Sequence, residues 1–296
     1  MKTILIAADV DRSFEERARG DARFEIVRRP VRTEEELAAI VAEAHVLVTR
    51  AYNRVTRRVI EAAPELELIA QGTSGIDNID LDAAGERGIA VIHMPGVNAN
   101  AVAELVIGSM IAMTRTVPFY TCEVVRGNFH RQDCANRHEL RHFRLGIVGL
   151  GQVGSLVARL AGAFGMPVEA YDPYVSEARA PSLDALLEIS DILTLHVPLT
   201  HETRKMIGER EIALLARGSY LINAARGEVL DQNAALDALA RDHLAGLALD
   251  VFDPEPPDAP LPDDPRLILT PHVAGCSYEV KTTVGGKLFE KIAAFF

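Results

Sequence analysis

The sequence is poor in cysteine, which occurs at Cys122, Cys134 and Cys276 in a chain of 296 residues. Three cysteines cannot all pair with one another, and their spacing matches no zinc-binding pattern. This scarcity argues against a disulfide-stabilised fold and against a cysteine-based metal centre. The expectation is a cytoplasmic protein with reduced thiols and no metal site.

Long apolar runs are lacking as well, since no uninterrupted stretch approaches the roughly 18 residues that a membrane-spanning helix needs. Residues 1–7 are mostly apolar, but Asp9, Asp11 and Arg12 follow at once. That start is too short for a secretion signal and has no cleavage site. The sequence therefore predicts neither a membrane segment nor a leader.

Positive charge is scarce relative to negative charge. There are 31 Lys and Arg residues against 42 Asp and Glu residues, a formal net charge of −11. Such a chain repels the phosphates of nucleic acids and anionic membrane surfaces, so neither is an expected partner. With 48% apolar and 25% charged residues, the composition is that of an ordinary globular protein. The length is about twice the commonest domain size and predicts two domains.

Short runs of Val, Ile and Leu alternate with segments of helical periodicity, which is typical of parallel strands joined by helices. The predicted fold class is α/β. A first series of five strands is predicted near residues 3–7, 24–28, 46–48, 68–70 and 91–93. A second series of six, which fits one doubly wound sheet, is predicted near residues 145–149, 168–172, 192–197, 219–223, 246–251 and 267–270.

Helical patterns fill the intervals between these strands. Thr33 followed by Glu36 forms a capping box that opens a helix predicted to run through Ala44. Between the two series, residues 102–117 predict an apolar helix, and residues 126–141 predict an exposed polar arm that could serve dimerisation. Residues 277–296 predict a final helix that returns to the first lobe.

The sharpest local motif is a glycine-rich turn that joins a predicted strand to a predicted helix. Gly149 permits a tight turn, Gly151 lets a pyrophosphate approach the backbone, and Gly154 lets the helix pack closely on the strand. The helix amino terminus adds partial positive charge. A structural turn without a ligand is the alternative interpretation, but the context of strand, helix and later acid favours a dinucleotide site.

That later acid is Asp172, at the end of the next predicted strand. Its carboxylate can accept hydrogen bonds from the ribose hydroxyls of an adenosine and repels a 2′-phosphate. No Lys or Arg occupies residues 173–176. NAD is therefore the predicted cofactor rather than NADP.

Three ionisable residues, Arg226, Glu255 and His272, lie at or beyond the carboxyl ends of later strands in the same predicted sheet. Open α/β sheets place their ligands at that edge. One cation, one carboxylate and one imidazole together form a plausible acid–base site. Taken singly, each has an ordinary alternative: a surface ion pair for Arg226, a solvated carboxylate for Glu255 and a loop residue for His272.

The chain resembles the D-isomer-specific 2-hydroxyacid dehydrogenase family along nearly its whole length. The similar motifs occur in the family's order and spacing. They comprise residues 72–80, 98–104, 149–154 with Asp172, 196–200 with Thr203, 223–227, 249–252 and 270–272. The resemblance implies two doubly wound parallel-sheet, Rossmann-like domains with an interdomain active-site cleft. It divides the chain into a flavodoxin-like substrate-binding domain, residues 1–97 plus 277–296, and an NAD-binding Rossmann domain, residues 98–276.

The resemblance also implies an NAD-dependent enzyme that interconverts a D-2-hydroxy acid and its 2-oxo acid. His272 would be the general acid and base, Glu255 its partner, and Arg226 the group that holds the substrate carboxylate and polarises the C2 carbonyl. Physical chemistry agrees, because histidine titrates near neutral pH and arginine matches a carboxylate bidentately. Lysine could not reproduce that geometry.

Further site residues are carried over from the same resemblance. The backbone N–H groups of Ser74 and Gly75 would complete the substrate site, and Asn98 would line it. The remaining residues implied to bind the cofactor are Gln152 and Val153 at the pyrophosphate, Val197, Pro198 and Thr203 at the adenosine half, Ala224, and Asp250 at the nicotinamide carboxamide.

Within the family, the first lobe looks most like 3-phosphoglycerate dehydrogenases. Arg50 could bind the anionic tail of such a substrate, although a surface arginine at a strand end is an equally ordinary interpretation. Many phosphoglycerate-type enzymes carry an arginine where this chain has Gln71, which leaves a glyoxylate or hydroxypyruvate reductase acting on a small unphosphorylated acid as an alternative. Because the sequence ends soon after His272, no carboxyl-terminal regulatory domain is expected.

A hypothesis from another class is a non-catalytic NAD(H)-sensing partner of transcription, because C-terminal binding proteins are similar in fold and site. The sequence has no long disordered tail or docking segment, which favours the enzyme. The family resemblance and the exposed arm together predict a homodimer.

Overall fold

The computed structural model describes residues 1–132, 135 and 137–296. It divides into two compact units, one formed by Met1–Asn98 with Cys276–Phe296 and the other by Ala99–Gly275. These limits lie one residue away from the domain limits expected from the sequence. Cys122 and Cys276 are exposed free thiols, whereas Cys134, the third predicted thiol, lies outside the described residues.

The first unit contains a sheet of five parallel strands in the order β2-β1-β3-β4-β5. Its strands are β1 (Lys2–Ile6), β2 (Phe24–Arg28), β3 (Val46–Thr49), β4 (Leu68–Gln71) and β5 (Ala90–Ile92). The helices of this unit are α1 (Ser13–Ala18), α2 (Glu34–Ile40), α3 (Arg57–Glu61), α4 (Leu81–Glu86) and α11 (Tyr278–Phe295). The strand order is that of flavodoxin-like folds. All strands stay parallel, but β2 is added on one side of β1, and β3 and the later strands are added on the other side.

Apolar side chains cover both faces of this first sheet. Val46 and Val48 point to one face with Phe14, and Leu47 points to the other face with Leu37. This alternation follows from the period of two along a strand. The final helix α11 packs on α1, with the Phe14 and Phe289 rings edge to face at 5.5 Å between centroids. The last residues of the chain are thereby part of the first unit's core.

The second unit contains six parallel strands in the order β11-β10-β9-β8-β6-β7. They are β6 (Leu145–Val148), β7 (Val168–Tyr171), β8 (Ile192–Leu195), β9 (Ser219–Asn223), β10 (Leu244–Leu249) and β11 (Leu267–Leu269). The helices are α5 (Ala99–Thr114), α6 (Val117–Val125), α7 (Gln152–Ala163), α8 (Leu183–Ile189), α9 (Glu209–Leu214) and α10 (Gln232–Ala240). The order reverses between β6 and β8, which is where doubly wound sheets bind ligands.

The fold confirms the predicted class of two parallel-sheet α/β units, but two helix predictions were wrong in extent. The capping box of Thr33 and Glu36 forms as predicted, yet α2 ends at Ile40 rather than at Ala44. The predicted single helix of residues 102–117 is instead two helices, because Thr116 adopts a left-handed backbone with φ of +49°. A non-glycine residue in that conformation cannot continue a right-handed helix.

Within the described ranges, no single helix has the length and apolarity to cross a membrane. One bent pair, α5 with α6, meets the length and composition requirement jointly, with a 61° bend between the two helices. Nine of the sixteen residues of α5 are buried inside the protein.

Candidate active site

The glycine-rich turn lies between β6 and α7, as predicted. Gly149 has a φ of +92°, and a Cβ there would lie 2.7 Å from the carbonyl oxygen of His196. A Cβ at Gly154 would lie 2.1 Å from the carbonyl oxygen of Gly149. The protein's own packing therefore requires glycine at both positions.

Gly151 differs from its two neighbours in the motif. Its φ is −73°, and no atom lies within 4 Å of the place that its Cβ would take. It is the N-cap of α7, whose first residues are Gln152 and Val153. Neither backbone strain nor packing explains a glycine there, so the open space beside this helix amino terminus is suited to an anionic ligand.

The Asp172 side chain is hydrogen-bonded to the glycine-rich turn. One carboxylate oxygen accepts a hydrogen bond from the Leu150 N–H at 2.8 Å, and the other accepts from the Tyr174 N–H at 2.9 Å. A carboxylate has about four acceptor positions, so two are left for ribose hydroxyls. The acid both holds the glycine-rich turn and remains able to bind a ligand.

The segment after β8 lies beside the same turn. A Cβ at Gly149 would come within 2.9 Å of a Val197 methyl group, which places Val197 against the first glycine. The Thr203 hydroxyl donates to the Pro198 carbonyl at 2.6 Å and accepts from the Thr200 N–H at 2.7 Å. These bonds close a compact loop that brings the predicted adenosine-side residues together.

The turn that carries Arg226 is shaped by the buried side chain of Asn223. The Asn223 amide accepts from the Ala225 N–H at 3.1 Å and donates to the Arg226 carbonyl at 2.9 Å. Ala224, predicted at the cofactor, is half-buried directly after β9. A Cβ at Gly227 would lie 1.8 Å from the Phe252 carbonyl oxygen, so this turn packs tightly on the end of β10. Asn223 and Gly227 thus fix the backbone from which the Arg226 side chain extends.

His272 and Glu255 form the pair predicted from the sequence. The imidazole Nδ1 lies 2.6 Å from the Glu255 carboxylate, and both side chains remain partly open to solvent. The hydrogen bond to Glu255 raises the pKa of His272 above its ordinary value, against the opposing effect of burial. Because Nδ1 is engaged, Nε2 is the nitrogen left for a substrate.

Arg226 acts electrostatically on both members of this pair. Burial raises the pKa of Glu255, but the His272 hydrogen bond and, more weakly, the Arg226 charge bring it below its ordinary value. The same Arg226 charge opposes the increase in the pKa of His272. The three predicted catalytic residues are therefore close enough to influence one another at one edge of the sheet.

Asp250 anchors the loop that presents His272, a role that the sequence did not reveal. Its buried carboxylate accepts hydrogen bonds from the Thr270 hydroxyl at 2.6 Å, the Val273 N–H at 2.9 Å and the Ala274 N–H at 3.0 Å. The His272 N–H donates to the Asp250 carbonyl at 2.7 Å. These bonds hold His272 in a left-handed backbone with φ of +54°. The available signal in the sequence for this anchoring role was an acidic residue, Asp250, at the end of one predicted strand and a threonine, Thr270, at the end of the next.

Apart from Arg226, the predicted substrate-binding residues follow the carboxyl ends of strands in the first unit's sheet. The Ser74 hydroxyl donates toward the Asn98 side-chain oxygen at 2.8 Å and the Met94 carbonyl at 3.0 Å. Gly75 follows in the same loop. Arg50 comes directly after β3, and its half-buried guanidinium has no ion-pair partner within the described part of the chain.

Among the described residues, no group of three or more His, Cys, Asp or Glu side chains is arranged to hold a metal ion.

Residues 107–274 match the family model described as D-isomer specific 2-hydroxyacid dehydrogenase, NAD binding domain. The chain is 39% identical over 269 residues to a D-3-phosphoglycerate dehydrogenase of Methanocaldococcus jannaschii, a match that covers 88% of this chain and 51% of the relative. It thus spans about half the length of that relative.

Two further similarities cover most of both chains. A hydroxypyruvate reductase of Thermotoga maritima is 38% identical over 266 residues, which is 87% of each chain. The crystal structure of a D-lactate dehydrogenase from Aquifex aeolicus, complexed with NAD and lactic acid, superposes with a TM-score of 0.87 at 30% identity. That superposition covers 99% of this chain and 95% of the other.

Proposed function

Because the chain belongs to the D-isomer specific 2-hydroxyacid dehydrogenase family, we propose that it interconverts a D-2-hydroxy acid and its 2-oxo acid with NAD. It would act as a dehydrogenase on a CH–OH group. The observation that carries the proposal is the 2.6 Å hydrogen bond between His272 and Glu255, within the electrostatic reach of Arg226. The segments that carry this pair follow β10 and β11, which belong to the same sheet as β6, the strand before the glycine-rich turn.

His272 supplies the proton in the direction of reduction. NAD, when bound in its reduced form, provides the hydride that C2 of the 2-oxo acid receives. The protonated His272 gives its Nε2 proton to the substrate oxygen, so that no free alkoxide has to form. Glu255 keeps the imidazole oriented and favours its protonated form. In the oxidative direction, neutral His272 removes the hydroxyl proton.

Arg226 holds the substrate and stabilises developing charge. Its planar guanidinium can bind the substrate carboxylate with two parallel hydrogen bonds. Its positive charge also favours the negative charge that grows on the C2 oxygen during hydride transfer. The buried Asn223 amide and the tight contact at Gly227 support this role, because they fix the backbone from which Arg226 extends.

The cofactor is proposed to be NAD, bound at the glycine-rich turn. The open space at Gly151, next to the N–H groups of Gln152 and Val153 in the first turn of α7, suits the pyrophosphate. Asp172 retains acceptor capacity for the adenosine ribose and would repel a 2′-phosphate. We expect Val197, Pro198 and Thr203 to bind the adenosine half and Asp250 the nicotinamide carboxamide, with Ala224 as a further cofactor contact.

A phosphoglycerate-like substrate is the first candidate. The unpaired Arg50 guanidinium offers a cation for an anionic tail, and the N–H groups of Ser74 and Gly75, with Asn98, offer contacts for the carboxylate end. The second candidate is a small unphosphorylated acid such as hydroxypyruvate or glyoxylate. It is favoured by Gln71, which is neutral and fully buried where a second cation would help to bind phosphate.

The protein is also proposed to be a cytoplasmic homodimer. Exposed free thiols at Cys122 and Cys276 suit a reducing compartment. Exposed apolar side chains on and after α6, including Phe119, Val125 and Phe129, suit burial against a second copy. Analytical ultracentrifugation should give the mass of a dimer, whereas a monomer at micromolar concentration would contradict this assembly.

The test of the enzymatic proposal is NADH oxidation with a panel of 2-oxo acids. The panel comprises glyoxylate, pyruvate, hydroxypyruvate, 2-oxoglutarate and phosphohydroxypyruvate. Turnover of at least one acid is expected, with a loss of about 10²- to 10⁴-fold in kcat for His272→Ala and little change in NADH affinity. NADH binding with no turnover of any acid would instead support the NAD(H)-sensing alternative.

A further inference from the structure

Three successive carbonyl groups in the loop of residues 72–78 are held by other parts of the first unit. The Thr73 carbonyl accepts from the Met94 N–H at 3.0 Å. The Ser74 carbonyl lies 2.8 Å from Nδ1 of His93. The Gly75 carbonyl accepts from the Gln71 side-chain amide at 3.2 Å and from the Thr73 hydroxyl at 3.1 Å.

These anchored carbonyls determine where the next N–H groups point. In a trans peptide the C=O and N–H of one unit point in opposite directions. The N–H groups of Ser74, Gly75 and Ile76 must therefore point away from Met94, His93 and Gln71 respectively. None of these three N–H groups has a hydrogen-bond partner within the described part of the chain. Successive backbone N–H groups in a turn can form a concave binding site for an anion.

Gln71 is fully buried at the end of β4, and both ends of its amide are engaged. Its oxygen accepts from the Thr49 hydroxyl at 2.6 Å. Its nitrogen lies within hydrogen-bond distance of the Asn78 side-chain oxygen at 2.8 Å, the Thr73 hydroxyl at 2.9 Å and the Gly75 carbonyl at 3.2 Å. Asn78 in turn donates to the Asn53 carbonyl at 2.6 Å, so the network reaches the loop after β3. Gln71 therefore has no hydrogen-bonding group left for a ligand.

His93 follows β5 and contacts the loop at the Ser74 carbonyl. A carbonyl oxygen can only accept, so Nδ1 of His93 must carry the proton in its bond to Ser74. An asparagine could provide the same donor, since its side-chain nitrogen lies at a position similar to Nδ1. A leucine could fill the space but could not donate.

We propose that Gln71 and His93 are positioning residues that aim the N–H groups of Gly75 and Ile76 at the substrate carboxylate. This inference rests on the proposed function and extends it to two residues that do not touch the substrate. It also makes Ile76 a contributor of a carboxylate contact beside Ser74 and Gly75. Removing the His93 side chain frees the Ser74 carbonyl. Removing the Gln71 side chain leaves the Gly75 carbonyl held by the Thr73 hydroxyl alone. In both cases the peptide can rotate away from the substrate more easily.

The test compares His93→Leu, His93→Asn and Gln71→Met with the unmodified protein. Measurements are KM and kcat for the preferred 2-oxo acid, and the dissociation constant of oxamate, an unreactive 2-oxo acid mimic, from the protein–NADH complex. His93→Leu and Gln71→Met should raise KM and the oxamate constant about tenfold, the effect of losing one oriented hydrogen bond. The kcat and the NADH affinity should change far less, and His93→Asn should restore KM.

The matched control is His45→Leu. His45 is also half-buried in the first unit, and its Nδ1 accepts from the Thr3 N–H at 3.2 Å, but it precedes β3 and lies at the opposite edge of the sheet. Its replacement should leave KM and oxamate binding unchanged. Melting curves identify any variant that fails to fold, and Gln71→Met then tests the idea separately from His93→Leu.

The outcomes separate this inference from the proposed function. If the unmodified protein reduces 2-oxo acids but His93→Leu and Gln71→Met bind oxamate as tightly as it does, the positioning role is wrong and the proposed function stands. Equal effects of His45→Leu and His93→Leu would likewise overturn the positioning role. A protein that turns over no 2-oxo acid would refute the proposed function, whatever the oxamate results are.

Discussion

The three glycines Gly151, Gly154 and Gly162 lie in or next to α7, and the same alanine substitution should affect each in a different way. Gly154→Ala places a methyl group 2.1 Å from the Gly149 carbonyl. Gly151→Ala and Gly162→Ala place theirs in open space, with no atom within 4 Å. Only the Gly151 position faces the proposed pyrophosphate site.

The expected magnitudes follow from these distances. Gly154→Ala must displace backbone and should lower the free energy of unfolding by about 1–3 kcal/mol. Gly162→Ala, in the exposed last turn of α7, should raise it by about 0.5 kcal/mol because alanine has fewer unfolded conformations. Gly151→Ala should change it by less than about 1 kcal/mol, since a small loss at the N-cap offsets the entropic gain.

Cofactor binding should follow a different order from stability. Gly151→Ala should weaken NADH binding at least tenfold, or about 1.4 kcal/mol, because its methyl occupies the space into which the pyrophosphate approaches. Gly162→Ala should bind NADH as the unmodified protein does. Urea unfolding gives the stabilities, and quenching or enhancement of NADH fluorescence gives the affinities.

Two results would refute this reasoning. Wild-type NADH affinity in Gly151→Ala would mean that the turn does not face the pyrophosphate. Unchanged stability in Gly154→Ala would mean that the tight contact with Gly149 is absent. Gly162→Ala serves as the control for general effects of alanine on the helix.

Three further predictions follow from other residues. Asp172→Asn removes the charge that would repel a 2′-phosphate, so the preference for NADH over NADPH, measured as the ratio of kcat/KM values, should fall at least tenfold; an unchanged ratio would contradict the assignment. Arg226→Lys should lower kcat/KM about 10²-fold, since a lysine ammonium cannot form two parallel hydrogen bonds to a carboxylate and also stabilise charge on the C2 oxygen. Activity within threefold of the unmodified protein would contradict the role proposed for Arg226. Burial lowers the pKa of His196 from 6.5 to about 4, so the unfolded chain takes up a proton between these values and the folded protein does not. Stability should therefore decrease as the pH falls from 6.5 to 4, by no more than about 3 kcal/mol because the residue is only partly buried. His196→Gln should lose this part of the pH dependence in urea titrations at several pH values.

The sequence predicted the approximate position of every described strand, because buried parallel strands are dense in Val, Ile and Leu. Val46–Thr49 and Leu68–Gln71 are buried along their whole length, and such runs stand out from their flanks. Helix ends were predicted less well. Thr116 ends the helical path after α5 by adopting a left-handed backbone, which threonine does not normally favour. The helix α2 ends at Ile40 although the helical pattern of apolar residues continues beyond it.

The candidate site was predictable where a motif fixes both residue type and place. His272 and Glu255 do form the hydrogen-bonded pair that was expected. The supporting contacts were not predictable, because they join residues distant in sequence through side-chain geometry. Asp250 meets Val273 and Ala274 across more than twenty residues, and Gln71 meets Thr49 across 22. Only the packed sheet brings such partners together.

The central claim is that His272, held by Glu255, exchanges the proton with a 2-oxo acid, and the pH dependence of reduction tests it most directly. The hydrogen bond to Glu255 raises the pKa of His272, so the protonated form required for reduction persists to higher pH. In Glu255→Gln that support is lost, and kcat/KM for the 2-oxo acid should fall at a lower pH than in the unmodified protein. The same upper pH limit in both proteins would contradict the account.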